Sequence, residues 1–186
     1  MRLPGVRRAL TAILAGAPLL LLDAAWPAVP GPLLDALGLG RPTARLEAPG
    51  FELPTLDSRV LRLGDLRGRV VLLYFWATWC PYCSQELPSI NQVHRAWEAK
   101  GVTVLLVDIR EDRAKVARAA AERGYVATVV LDLNGAVSDA YGVHATPTVF
   151  LIARDGTIVG RAVGARPWTG PDARDLFQAL LAPPAK

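Results

Sequence analysis

From Leu46 onward, short apolar runs alternate with stretches of helical periodicity. Val70 to Trp76 is apolar at every position, and Val102 to Ile109 nearly so. Uninterrupted runs of this length, bounded by turn residues, mark strands buried on both faces. Ala127 to Leu131 reads as a third, shorter strand. Pro81 to Ala99 and Asp112 to Arg123 read as helices, the second ending at Gly124, which suits a left-handed C-cap. Val137 to Tyr141 predicts a helical turn, and Asp172 to Leu181 a closing amphipathic helix. Thr148 to Ile152 and Ile158 to Val163 are strands joined by Arg154-Asp155-Gly156-Thr157, a hairpin signal. Phe51 to Leu53 and Val60 to Leu63 flank the turn Asp57-Ser58 and predict an N-terminal β-hairpin. Strand–helix–strand followed by an antiparallel hairpin and a helix implies an α/β chain, with a mixed central sheet flanked by helices.

The first 45 residues have a different pattern. Arg2, Arg7 and Arg8 precede an apolar run from Ala9 to Leu22, the layout of a secretory signal or signal-anchor. The run is shorter than the roughly 20 residues that span a bilayer. Ala24-Ala25 is the candidate cleavage neighbourhood, and no cysteine follows to carry a lipid. Residues 1–26 are read as a signal-anchor or signal peptide, with an uncleaved anchor favoured. The positive-inside rule leaves the arginines in the cytoplasm and the rest on the extracytoplasmic, periplasmic face of the envelope. Residues 27–45 are rich in Pro and Gly and read as a linker, with Leu33, Leu34, Leu37 and Leu39 able to form a helical turn or two. Residues 46–186 form the domain.

Composition narrows the class. With 186 residues and 52% apolar content, one domain can bury a sizeable core. The net charge of +4 is scattered, and no basic stripe is interleaved with stacking aromatics, which argues against nucleic acid as a partner. Cys80 and Cys83 are the only thiols, so a disulfide-stapled scaffold is excluded. A structural zinc site needs four ligands, and only His94 and His144 could complete one, at unsuitable spacings. No metal is expected.

Cys80 follows the strand Val70–Trp76 after a short loop and opens a helix. Cysteines at i and i+3 of a helix start share a face and can bridge. Unpaired amides and the helix dipole stabilise a thiolate at the first position, and Pro81 suits a first turn that needs no N–H. Cys80 is thus expected as the exposed nucleophile and Cys83 as the more buried resolving thiol. A loop this short makes a poor structural staple.

Phe75-Trp76-Ala77-Thr78-Trp79-Cys80-Pro81-Tyr82-Cys83, followed by Glu86-Leu87-Pro88, resembles the TlpA/ResA branch of membrane-associated thioredoxin-like proteins. The lead-in Leu66-Arg67-Gly68-Arg69-Val70-Val71 and the stretch Gly142 to Ile152 resemble it too, so that residues 46–165 are covered. The resemblance implies a thioredoxin-like fold and a redox-active Cys80–Cys83 disulfide with no other cofactor. It implies a cis-proline at Pro147, with the Thr146 backbone pairing with an extended substrate peptide. Glu86 matches an acidic residue kept near the buried cysteine, placed to shuttle the proton of Cys83. Trp79, Pro81, Tyr82, Thr146 and Pro147 are the expected substrate contacts, with Trp76 and Trp79 as wall and lid. Pro88 is expected to kink the helix. Protein disulfides are the implied substrates, disulfide-bearing apocytochrome c among them, and a membrane thiol donor the implied source of electrons.

Two positions depart from related patterns. Tyr74 stands where cytosolic-type thioredoxins keep a buried Asp, which makes Glu86 the candidate base. Pro81-Tyr82 is the glutaredoxin dipeptide, predicting a potential less reducing than thioredoxin's, which is about −270 mV. A peroxiredoxin-like peroxidase is the first alternative, but Thr78 is two residues before Cys80 where that chemistry needs three. A copper-delivery module using Cys80, Cys83 and His144 is the second.

Overall fold

The computed structural model describes residues 29–183, so the signal or anchor expected over residues 1–26 lies outside the described residues. Five strands form the central sheet: β3 (Val70–Trp76), β4 (Val102–Ile109), β5 (Thr128–Asp132), β6 (Thr148–Ile152) and β7 (Ile158–Val163). Their spatial order is β5-β4-β3-β6-β7. β3 pairs in parallel with β4, and β4 with β5, while β6 and β7 run antiparallel. The expected mixed sheet is therefore present, and the β6–β7 hairpin matches its expected bounds. A separate two-stranded sheet, β1 (Glu52–Pro54) and β2 (Val60–Arg62), is the expected N-terminal hairpin.

Every residue of β3 is buried, because it lies in the middle of the sheet with a hydrophobic cluster packed on each face. Period-two alternation then sorts its side chains. Val70, Leu72, Tyr74 and Trp76 join a core shared with Cys80, Cys83 and Ile90. Val71, Leu73 and Phe75 face the other way, against Tyr141 and Phe150. The strand thereby delivers Tyr74 and Trp76 to the same face as α2 (Pro81–Trp97), which continues through Pro88. α3 (Arg113–Arg123) is capped by Asp112, whose carboxylate accepts from the amides of Ala114 and Lys115. It ends at Gly124 in the left-handed region, φ 68°, as expected. α1 (Gly31–Ala36), α4 (Ala136–Ala140) and α5 (Pro171–Leu181) complete the set.

The linker reading of residues 27–45 is corrected from Gly31 to Gly40. Gly31–Ala36 forms α1, and Leu34, Leu37 and Leu39 are buried with exposures of 1%, 2% and 2% in the same core as α5. Gly40 pairs with Arg161 of the edge strand β7. The physical reason lies at Gly160, which has no side chain there. A Cβ on it would stand 3.2 Å from Leu34 Cδ2 and 3.3 Å from Leu39 Cβ. The leucines pack closely over Gly160, where a side chain would crowd them, and their burial outweighs the loop-like composition around them.

Candidate active site

The site lies at the C-terminal end of β3, where open α/β sheets place their chemistry. Ala77 to Trp79 turn the chain, with the Cys80 amide donating to the Ala77 carbonyl at 3.2 Å. Cys80 is then the N-cap of α2, with Pro81 at its first position. Cys80 and Cys83 are joined in a disulfide with Cα atoms 5.3 Å apart. The Cys83 amide donates to Cys80 Sγ at 3.1 Å, so the helix start supplies an N–H to the sulfur expected to become a thiolate.

One expectation fails here. Cys80 is not exposed: it is 2% accessible, against 1% for Cys83. Its sulfur is bonded to the Cys83 sulfur and accepts from the Cys83 amide, and the open surface belongs to its neighbours. Trp79 is 64% and Tyr82 62% exposed, and Pro81 is exposed as well. Trp76 is core rather than wall. It is fully buried and packs against Tyr125, with ring centroids 4.5 Å apart.

The Thr146–Pro147 bond is cis, as expected. Pro147 is buried, Thr146 half-buried and His144 exposed. Among the described residues, no group of three potential metal-ligating side chains includes His144.

Glu86 is 4% exposed and sits one helical turn beyond Cys83. Its Oε2 accepts from the Tyr74 hydroxyl at 2.8 Å. Its Oε1 accepts from Trp168 Nε1 at 2.6 Å and from the Arg166 amide at 2.7 Å. Burial pushes its carboxyl above the usual range, against the pull of these donors. Tyr74, buried beside that carboxylate, has its own ionisation pushed far up and acts as a donor only. Tyr74 thus replaces a buried acid by gripping one that comes from the helix. Trp168 and Arg166 were invisible to sequence reasoning, since they lie 82 and 80 residues from Glu86. A tryptophan near the C-terminus carries no motif that links it to a carboxylate.

A second acidic group lies behind the loop. Glu111, 8% exposed, accepts from the Thr78 amide, the Thr78 hydroxyl and Lys115 Nζ. Burial acts against its ionisation, but these donors hold its carboxyl below the usual range. Asp108, 1% exposed, neighbours it on β4. Burial, reinforced by Glu111, pushes Asp108 up to about 8, so near neutrality Asp108 is the protonated partner and Glu111 the charged one.

The comparisons agree with this geometry. The profile of the Redoxin family matches residues 43–180. A thiol-disulfide oxidoreductase ResA from Geobacillus thermodenitrificans is 39% identical over 111 residues, which cover 60% of this chain and 64% of that protein. A ResA protein from Bacillus thuringiensis is 35% identical over 118 residues, covering 63% and 68% respectively. The match thus spans about two thirds of these relatives. Among solved structures, a thiol:disulfide interchange protein DsbE from Chlorobium tepidum superposes with a TM-score of 0.69 at 34% identity. It covers 78% of this chain and 100% of that one.

Proposed function

The chain belongs to the Redoxin family, on its ResA/TlpA-like thioredoxin-fold branch, and from that premise we propose that it is a thiol–disulfide oxidoreductase acting as a reductant of protein disulfides. The observation that carries this is the Cys80–Cys83 pair capping α2, with the Cys83 amide aimed at Cys80 Sγ. In the reduced protein the Cys80 thiolate attacks a substrate disulfide. A Cys80–substrate bond forms, and one substrate sulfur leaves as a thiolate. Cys83 then gives up its proton and attacks Cys80 Sγ, closing the Cys80–Cys83 disulfide and releasing the second substrate thiolate. Two electrons pass from the pair to the substrate. A dithiol donor must return two electrons to complete the cycle, and a membrane thiol protein fills that role in this proposal.

Glu86 is the proposed acceptor for the Cys83 proton, since burial raises its affinity for one. Trp79 and Tyr82 form the exposed apolar rim on which the substrate chain rests, with Pro81, Thr146 and Pro147 beside it. An extracytoplasmic, membrane-anchored location follows from the pattern of residues 1–26. Disulfide-bearing apocytochrome c is the substrate suggested by the resemblance.

Mixing the reduced protein with a disulfide-bearing model protein tests the activity. The wild type should reduce it stoichiometrically, and Cys83→Ala should accumulate a mixed disulfide through Cys80. Neither reduction nor trapping would overturn the assignment. Expressed in the envelope, the same variant should capture apocytochrome c. Capture of other disulfide proteins alone would replace that substrate.

A further inference from the structure

Thr78 stands two residues before Cys80, and α3 with the loop leading into it takes up all three of its polar groups. Its amide donates to Glu111 Oε2 at 2.5 Å and its hydroxyl to Glu111 Oε1 at 2.6 Å. Its carbonyl accepts from Arg123 Nη2 at 2.8 Å. The partners lie 33 and 45 residues away, Glu111 just before the start of α3 and Arg123 at its last residue. Glu111 is held in turn by Lys115 Nζ at 2.5 Å. Thr78 is itself 8% exposed, so the grip is shielded from water.

The held residue controls the nucleophile's geometry. Ala77 to Cys80 form one tight turn, closed by the Cys80 amide on the Ala77 carbonyl. Cys80 leaves that turn in an extended conformation, φ −83° and ψ 110°, which directs Sγ back over the first turn of α2. Any rotation at Thr78 passes through a single residue, Trp79, before it reaches Cys80. Trp79 is exposed and supplies little resistance.

We propose that Glu111 and Arg123 are positioning residues for disulfide exchange, holding Cys80 through Thr78 in the N-cap conformation where the Cys83 amide stabilises its thiolate. The proposal rests on the oxidoreductase reading for its consequence, but its geometry stands apart from Glu86 and from the substrate rim.

Charge and position predict opposite signs at Glu111. Deleting a nearby negative charge alone would lower the Cys80 thiol pKa. Releasing the turn would raise it, because the thiolate loses its amide and the helix terminus. The test uses the reduced full-length chain, with iodoacetamide alkylation of Cys80 followed against pH. Glu111→Gln should raise the alkylation midpoint by about one pH unit, a roughly tenfold smaller thiolate fraction below it. Glu111→Asp keeps the charge but is one methylene too short, and should raise it similarly. Thr78→Val removes one of the three bonds and should give a smaller rise. A midpoint that is unchanged in both Glu111 variants, even with a lower melting temperature, overturns the proposal. So does a midpoint lowered in Gln and unmoved in Asp. If the Glu111 variants do not fold, Thr78→Val decides alone: a rise supports the proposal, and no change or a fall overturns it. A wild type that exchanges no disulfide defeats the oxidoreductase reading instead, and leaves the alkylation comparison intact.

Discussion

The Tyr74 hydroxyl donates to Glu86 Oε2 at 2.8 Å, and this bond ties the strand entering the site to the helix that carries both cysteines. The residue that replaced a buried aspartate therefore keeps a carboxylate in the core by another route. Tyr74→Phe removes a hydroxyl that nothing else replaces and one of the donors that lower the Glu86 carboxyl. The variant should lose about 1–3 kcal/mol of stability. The Glu86 titration should move further up, read by carboxyl NMR across pH. An unchanged titration would show that Tyr74 merely fills space.

Trp168 makes the same kind of contact from the far end of the chain, through Nε1 to Glu86 Oε1 at 2.6 Å. Trp168→Phe keeps most of the buried ring and deletes the donor. In a double-mutant cycle with Glu86→Gln, urea unfolding should give a coupling of at least about 1 kcal/mol. Additive losses would mean that Trp168 acts only through packing.

What could be read from the sequence was whatever a local pattern encodes. The uninterrupted run Val70–Trp76 announces a doubly covered strand. The β6–β7 hairpin follows from two short runs joined by the turn Arg154-Asp155-Gly156-Thr157, and the redox pair from its address at a helix start. What escaped depends on distant chain segments meeting. Glu86 draws its partners from 80 and 82 residues away, and Thr78 is held from 33 and 45. The burial of Cys80 escaped for a different reason: accessibility depends on what packs around a residue, and spacing does not set that. The leucines of residues 27–45 carry a helical signal of their own, but the surface they dock on is at Gly160, more than a hundred positions later.

That docking surface gives a stability prediction. Leu34→Ala and Leu39→Ala each empty a buried position and should cost about 2–5 kcal/mol. Gly160→Ala places a methyl group 3.2 Å from Leu34 Cδ2, and overpacking of this kind costs about 1–3 kcal/mol. Denaturant midpoints should fall in all three. A wild-type midpoint for Leu34→Ala would return the segment to the status of a linker.

Asp108 gives a pH dependence with a definite sign. It lies on β4, paired across the sheet with Trp76 and Leu131, and is 1% exposed. Burial first, then the neighbouring Glu111, moves its carboxyl from 3.8 to about 8 in the folded protein, with Lys115 opposing. Below the unfolded value both states hold the proton, and the group is neutral in its effect on folding. Between about 4 and about 8 the unfolded chain has released the proton while the folded chain keeps it. Each step upward in pH through that window therefore favours unfolding, by at most about 1.4 kcal/mol per pH unit. Asp108→Asn keeps the shape of the side chain and cannot ionise. Thermal melts from pH 5 to pH 8 should show the wild type losing stability more steeply than the variant. The variant should keep a residual slope from Glu86, whose carboxyl is also raised by burial. Parallel curves for the two proteins would mean that Asp108 ionises in the folded state as it does in the unfolded chain.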